Sequence, residues 1–583
     1  MIKKLLGYVG EYRMYAIATP LFIIGEVIME VLIPLVMAHI IDTGIQGSGG
    51  IGYTIKMGGL MVVMALISLL FGAAAGRTAA VAAMGFARNL RNDLFNKVQD
   101  FSFSNVDKFS TGSLVTRLTT DVTNTQNAFM MILRLGFRAP IMFISACVLA
   151  VFVNPRLSLI FLVAIPLLGT ALFLIISKAH PRFLRMMKTY DKLNTVVQEN
   201  LVGIRVVKAF VREPHENAKF SATADEVRRA QVFAEKLVIL NMPIMQLSMY
   251  ACIVAVLWFG GNMVVGGSFA IGQLSSFISY NGQILMSLMM LSMIFIISII
   301  SYASVDRIME VLNEQPDIRD AEGAADVRLR DGSIEFRDVS FSYTGDASNP
   351  TLAHVSLRIE SGQTIGIIGG TGSAKTSLVQ LIPRLYDTLG GELLVGGHSV
   401  RDYPLHTLRS DVAMVLQKNV LFSGSIRDNI RWGDHDATDE QIIEACKAAQ
   451  AHDFIMSFPD GYDTDLGQGG VNVSGGQKQR LCIARALLKR PKIIILDDST
   501  SAVDTATDSK IRAAFKEKLK DTTTIIIAQR ITSVSEADKI IVLNDGQVDG
   551  FGTHSELMAQ NEIYREVYMS QQKGVEQYAG TNA

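Results

Sequence analysis

The chain is 583 residues long, more than one hydrophobic core organises and enough for several domains. Apolar residues make up 49% of it and the mean hydropathy is +0.29, high for a soluble protein. The formal net charge of −1 lacks the basic excess that nucleic-acid binding needs, and the four cysteines have no metal-type or redox-type spacing, so no nucleic-acid partner and no cysteine chemistry is expected.

Composition divides the chain. Residues 1–312 contain long apolar stretches, and the rest does not. A membrane-crossing helix needs about 20 mostly apolar residues. Six stretches qualify: Met14–Ile41, Ile55–Met84, Phe129–Val153, Leu157–Ile176, Leu237–Val265 and Leu274–Ile300. The first follows Lys3 and Lys4 but is too long for a signal peptide, and five more follow it. Asp42–Gly50 and Gly266–Gln273 carry no Lys or Arg, and Asn154–Arg156 carries only Arg156. Gly85–Asn127 and Lys178–Lys236 are long and rich in both. The positive-inside rule places these two connections and both termini in the cytoplasm. With few breakers, they read as helices continuing out of the membrane, turning at Asn105–Ser113 and Asn200–Ala209.

Charges inside an apolar span are costly and suggest function. Glu26 and Glu30 lie one turn apart in span one; Arg134 and Arg138 lie one turn apart in span three. They read as a structural ion pair within the bundle or as contacts for a substrate. Glu26 and Arg138 fall at similar depth, which predicts that they pair or share a polar cavity. Gly72–Gly76, GAAAG, fits small-xxx-small helix packing. Methionines cluster in Asn241–Tyr250 and Ile284–Phe295, suiting packing, lipid contact or an adaptable apolar binding surface.

Asn313–Arg330 is a polar, Pro-containing linker. The expected division is a transmembrane domain over 1–312, a linker over 313–330, a nucleotide-binding domain over 331–570 and a polar tail over 571–583. Gln363–Ile368 reads as a buried strand that enters Gly369-Gly370-Thr371-Gly372-Ser373-Ala374-Lys375-Thr376-Ser377 and then an apolar helix. This strand–loop–helix context is what a P-loop requires. Its backbone N–H groups would cradle phosphates, Lys375 would reach the β- and γ-phosphates, and the Thr376 hydroxyl would ligate Mg²⁺. Ala374 stands where the pattern has Gly, tolerable if the backbone there is helical. Downstream, four apolar residues from Ile493 lead into Asp497, as in a buried strand delivering a magnesium-binding carboxylate.

Val473-Ser474-Gly475-Gly476-Gln477 precedes a basic helix and that strand. Here the chain resembles ATP-binding cassette proteins, in the order P-loop, glutamine loop, signature, Walker B, D-loop, switch loop. With six spans ahead, it resembles bacterial ABC exporter half-transporters over nearly its whole length. The implied fold is an all-α six-helix transmembrane domain of the type IV exporter kind followed by an α/β P-loop ATP-binding cassette. The implied cofactors are ATP and Mg²⁺. The resemblance implies that Tyr343 stacks on adenine and that Gln417 touches the metal and the γ-phosphate. It implies that Ser474, Gly475, Gly476 and Gln477 meet ATP on the opposite subunit, that Asp497 holds Mg²⁺ through water, and that Ser501–Asp504 forms the D-loop.

Three positions depart from the family pattern. Ala374 is one. Asp498 stands at the catalytic glutamate position, one methylene shorter, and Gln529 stands at the switch histidine position. Both of these fall on the site the chain builds itself, while the signature is intact apart from Val473 in place of Leu. The resemblance therefore implies the degenerate-site subunit of a heterodimer whose partner is a second, non-identical half-transporter, with ATP hydrolysis mainly at the partner-built site. The expected location is a bacterial cytoplasmic membrane and the expected cargo a hydrophobic or amphipathic small molecule. The alternatives are a lipid or peptide exporter, an ATP-gated channel or regulator, or a slow homodimer.

Overall fold

A computed structural model describes residues 2–320, 327–498 and 505–579. The chain forms two compact units: Met1–Gln99 with Ser110–Glu314, and Asp100–Phe109 with Gln315–Ala583.

The first unit is helical. Among the described residues, six helical stretches are long and apolar enough to cross a membrane: Gly10–Ile45, Gly50–Gln99, Thr111–Val153, Leu159–Val202, Glu213–Val265 and Ile271–Phe295. Their main helices are α1 (Arg13–His39), α2 (Gly50–Gln99), α4 (Val122–Val153), α5 (Leu159–Val202), α8 (Asn241–Val265) and α9 (Ile271–Asn313). α1, α2, α4 and α9 pack together. Their core joins Val27 and Val31 of α1, Ala146 and Ala150 of α4, and Phe277 and Ile284 of α9. On α2, Ala79, Ala82, Ala83 and Ala87 are fully buried, so small side chains let the helices approach closely. Leu162, Val163 and Leu167 of α5 and Trp258 of α8 are exposed, as suits side chains in contact with lipid.

α2 continues without a break to Gln99, about 75 Å at 1.5 Å per residue. It leads into a short helix, α3 (Phe103–Phe109), that belongs to the second unit. There Tyr386 Oη donates to Asp107 at 2.8 Å and Ser104 Oγ donates to Asp317 at 2.7 Å. The other expected turning point is α6 (Ile204–Ala209), between α5 and α7 (Glu213–Val238), with Val206 and Phe210 exposed.

The second unit holds two sheets. One has the order β2-β1-β4-β5, from β1 (Ile334–Phe341), β2 (Leu352–Ile359), β4 (Gly390–Val395) and β5 (His398–Ser399), all antiparallel. The other has the order β10-β9-β3-β8-β7-β6. Its strands are β3 (Thr364–Gly369), β6 (Val412–Val415), β7 (Ile493–Asp497), β8 (Thr523–Ile527), β9 (Lys539–Asn544) and β10 (Gln547–Gly552). It is parallel except for the β9–β10 hairpin. β7 and β8 are buried along their whole length, which explains the apolar runs Ile493–Leu496 and Ile525–Ile527: helices and loops cover both faces. The last helix, α13 (Glu562–Ala579), packs Ile563, Tyr564, Val567 and Tyr568 on the core, and the segment expected as a polar tail from 571 begins inside it.

Candidate functional site

Parallel pairing sets the site. β3, β7 and β8 lie side by side, and Asp497 is in register with Ile527. The loop after β3, the carboxylates at the end of β7 and the residues after β8 therefore share one carboxyl edge of the sheet, where open α/β sheets bind ligands. The P-loop residues Gly369–Ser377 run from β3 into α10 (Lys375–Leu381). A side chain at Gly369 would meet the Leu543 carbonyl oxygen at 2.3 Å, and Gly372 has φ +84°, so both need glycine. Gly370 and Thr371 complete the bend, and Ser373 is buried beneath it.

Ala374 does not meet the condition for tolerating a methyl, a helical backbone. It is the residue before α10, at φ 69° and ψ 24°, in the left-handed region that a Cβ disfavours. Lys375 Nζ donates to the carbonyls of Gly370 at 2.7 Å and Gly369 at 3.0 Å, folded over the loop that would receive phosphates. Burial pushes its ammonium pKa down, partly opposed by Asp497 and Asp498.

Thr376 Oγ1 donates to Asp497 Oδ1 at 3.1 Å. Asp497 is 2% exposed, and its Oδ2 is buried with no hydrogen-bond partner among the described residues. A buried, unsatisfied carboxylate oxygen is costly unless something meets it. Asp497 and Thr376 would together hold a hard cation there, so the donor set fits Mg²⁺. When bound, Mg²⁺ would neutralise charge on the nucleotide phosphates. Burial pushes the Asp497 carboxyl up, the Thr376 bond draws it down, and the neighbouring Asp498 raises it again.

Asp498 has φ +48°, held by its N–H bond to the Ile527 carbonyl at 3.1 Å. Its Oδ2 accepts the Gln529 side-chain amide at 2.7 Å, and the Gln417 side chain bonds it as well. Burial raises its pKa, opposed in turn by Gln529, Lys375 and Gln417. Tyr343 stands over α10: its Oη is 2.9 Å from Ser377 Oγ and donates to Gln380 at 3.2 Å. Half its surface is open, and Tyr386 meets its ring edge-on at 5.1 Å.

Ser474, Gly475, Gly476 and Gln477 open α12 (Gly475–Leu488). Ser474 Oγ accepts the Gln477 N–H at 3.3 Å while Gln477 Oε1 accepts the Ser474 N–H at 2.8 Å, a capping box. None of their hydrogen bonds among the described residues reaches the P-loop. Asp504, with the rest of the D-loop, lies outside the described residues.

Within the first unit, Arg138 ion-pairs with both Glu26 and Glu30; the Glu30 contact is 2.7 Å. Arg134 is exposed on the same helix. Gly72 on α2 lies opposite, and a Cβ there would come within 2.9 Å of Glu26 Oε1, so this glycine also makes room for the carboxylate.

Three contributors were missed from the sequence. Gly72 sits in a GAAAG run whose spacing signals helix packing and nothing about the carboxylate it makes room for. Tyr386 joins the Tyr343 ring cluster and α3 from the bend after α10, which carries no motif. Gln571 bonds the loop after β8 and lies in the segment read as a tail. Ile563, Tyr564, Val567 and Tyr568, at helical spacing, would have placed Gln571 on the inward face.

A parallel sheet carrying a P-loop and a buried aspartate at one edge, joined to a bundle of membrane-length helices, defines a membrane-bound P-loop ATPase. Residues 16–289 match the ABC transporter transmembrane region family and residues 352–501 match the ABC transporter family. An uncharacterized ABC transporter ATP-binding protein of Bacillus subtilis, YfiB, is 39% identical over 570 residues, 98% of each chain. The putative multidrug export ATP-binding/permease protein YgaD of the same species is 32% identical, covering 98% of this chain and 99% of its own. The ATP-dependent lipid A-core flippase of Syntrophus aciditrophicus is 32% identical, covering 83% of this chain and 80% of its own. A solved bacterial Atm1-family ABC exporter with ATP bound shares the fold, with a TM-score of 0.84 at 23% identity, covering 96% of this chain and 99% of that one. The chain belongs to the ABC transporters, as an exporter with its transmembrane and ATP-binding domains fused. It is a multi-pass membrane protein with a cytoplasmic ATP-binding domain, an ATPase coupled to transport.

Proposed function

We propose that the chain is the degenerate-site half of a heterodimeric exporter in a bacterial cytoplasmic membrane, moving hydrophobic or amphipathic small molecules outward. The observation that carries this reading is the bond between Gln529 and Asp498. The side chain at the base position is one methylene short and is held by an amide. A misplacement of about 1 Å at such a position costs on the order of 10²-fold in rate. The site keeps what nucleotide binding needs: Tyr343 for the base, the P-loop and Lys375 for phosphates, Thr376, Gln417 and Asp497 for the metal. Ser474–Gln477, at an open helix N-terminus, would complete the site of a partner. The relative named for multidrug export supports a drug-like cargo. The flippase relative supports a lipid as the second reading.

The purified chain should bind ATP yet hydrolyse it far more slowly than the assembled heterodimer. Turnover by the isolated chain at the rate of the complex would refute the division of labour. Transport of lipophilic dyes against transport of labelled lipid in proteoliposomes separates the two cargo readings.

A further inference from the structure

A side chain of the C-terminal helix reaches the loop that carries Gln529. Gln571 of α13 uses both ends of its amide on the loop after β8. Its Oε1 accepts the Ile531 N–H at 2.9 Å, and its Nε2 donates to the Gln529 carbonyl at 2.8 Å. Ile531 is fully buried, so no water replaces that acceptor. The two bonds fall on either side of Arg530 and fix the loop where it leaves the sheet. The line continues through the Gln529 side chain, whose Nε2 donates to Asp498 Oδ2 at 2.7 Å. α13 is itself well seated. Tyr564 is fully buried, with its Oη 2.7 Å from His554 Nδ1, and its N–H donates to Asn561 Oδ1 at 2.7 Å.

We propose that Gln571 is a positioning residue of the nucleotide site: it fixes the backbone of the switch loop so that Gln529 meets the terminal phosphate of a nucleoside triphosphate, which makes the C-terminal helix part of how the site tells ATP from ADP. The proposal rests on the reading of Gln529 as the switch residue. It demands a neutral amide at 571, because one end must accept and the other donate. Gln571→Met keeps the length and loses both bonds. Gln571→Glu keeps an acceptor for Ile531 but sets an oxygen against the Gln529 carbonyl.

The test uses the full-length chain in nanodiscs, titrated with ADP and with a non-hydrolysable ATP analogue, together with hydrogen–deuterium exchange of the 528–533 peptide. Gln571→Met should lower the analogue-over-ADP preference about three- to tenfold, the size of one lost hydrogen bond. ADP affinity should stay as it is, and amide exchange at Ile531 should rise at least about tenfold. Gln571→Glu should lower the preference similarly with a smaller rise in exchange, and it decides the matter if the Met variant does not purify as a monodisperse protein. In a Gln529→Ala background, Gln571→Met should change the preference no further. An unchanged preference in the Met variant overturns the proposal. So does an effect that persists in full without the Gln529 side chain, since that marks a merely structural role. If Gln529→Ala alone leaves the preference unchanged, the reading of the switch position fails, and the proposal with it.

Discussion

Ala374 carries a methyl group where the backbone turns left-handed. That conformation costs an L-residue about 1–2 kcal/mol, while a glycine there would lose about 0.5–1 kcal/mol of chain entropy on ordering. Strain is the larger effect, so Ala374→Gly should tighten ATP binding severalfold and raise the thermal midpoint; weaker binding by calorimetry would show that the methyl makes a contact worth more than the strain. The neighbouring pair tells a similar story. Asp498 is short and Gln529 holds it, so Asp498→Glu combined with Gln529→His should raise the hydrolysis rate of the isolated chain by about tenfold or more. Phosphate release no faster than in the parent would locate the defect elsewhere. The identities at 374, 498 and 529 were legible in the sequence. The backbone at 374 was not, because the bend between β3 and α10 sets its φ, and a residue's chemistry does not report the path imposed on it.

At the scale of elements, Arg138 is held between two carboxylates one turn apart on α1. Removing one partner of such a group typically costs about 3–5 kcal/mol, and removing all of them costs far less. Arg138→Gln should cut the yield of monodisperse protein sharply, while Glu26→Gln, Glu30→Gln and Arg138→Gln together should recover most of it. Equal yields from the single and triple variants would count against a coupled cluster. Sequence showed the helical spacing and matching depth of Glu26 and Arg138. It did not show that both glutamates share one guanidinium, or that Gly72 opens the space, since helix rotation is fixed only by packing. The tip α6 follows the same logic. Its exposed Val206 and the Phe210 that follows it present an apolar face, and Val206→Asp should leave ATP affinity unchanged while transport by the assembled transporter falls severalfold. Vesicles that transport normally with this variant would show that α6 does not carry the coupling.

For the whole molecule, the reading turns on which chain completes which site. On the proposed division of labour, Gly475→Glu would place a carboxylate at the helix N-terminus offered to a partner's nucleotide and should abolish hydrolysis by the assembled transporter, whereas Asp498→Asn should reduce it by less than about twofold. Equal loss in the two variants would mean that the labour is not divided. Much of the architecture could be read ahead of the structure, because long apolar runs and a P-loop after a strand leave few alternatives. The continuity of α13 past residue 571 could not, because polar residues toward its end hide an apolar face that begins earlier.

The unbroken length of α2 has a mechanical consequence. A rod about 75 Å long that pivots near its middle by 5° swings each end by roughly 3 Å, in opposite senses. Residues near the pivot move by only a fraction of that distance, so the buried alanines Ala79, Ala82, Ala83 and Ala87 can act as a bearing. A small displacement imposed at the cytoplasmic foot thus reappears, with its direction reversed, at the outer face of the membrane.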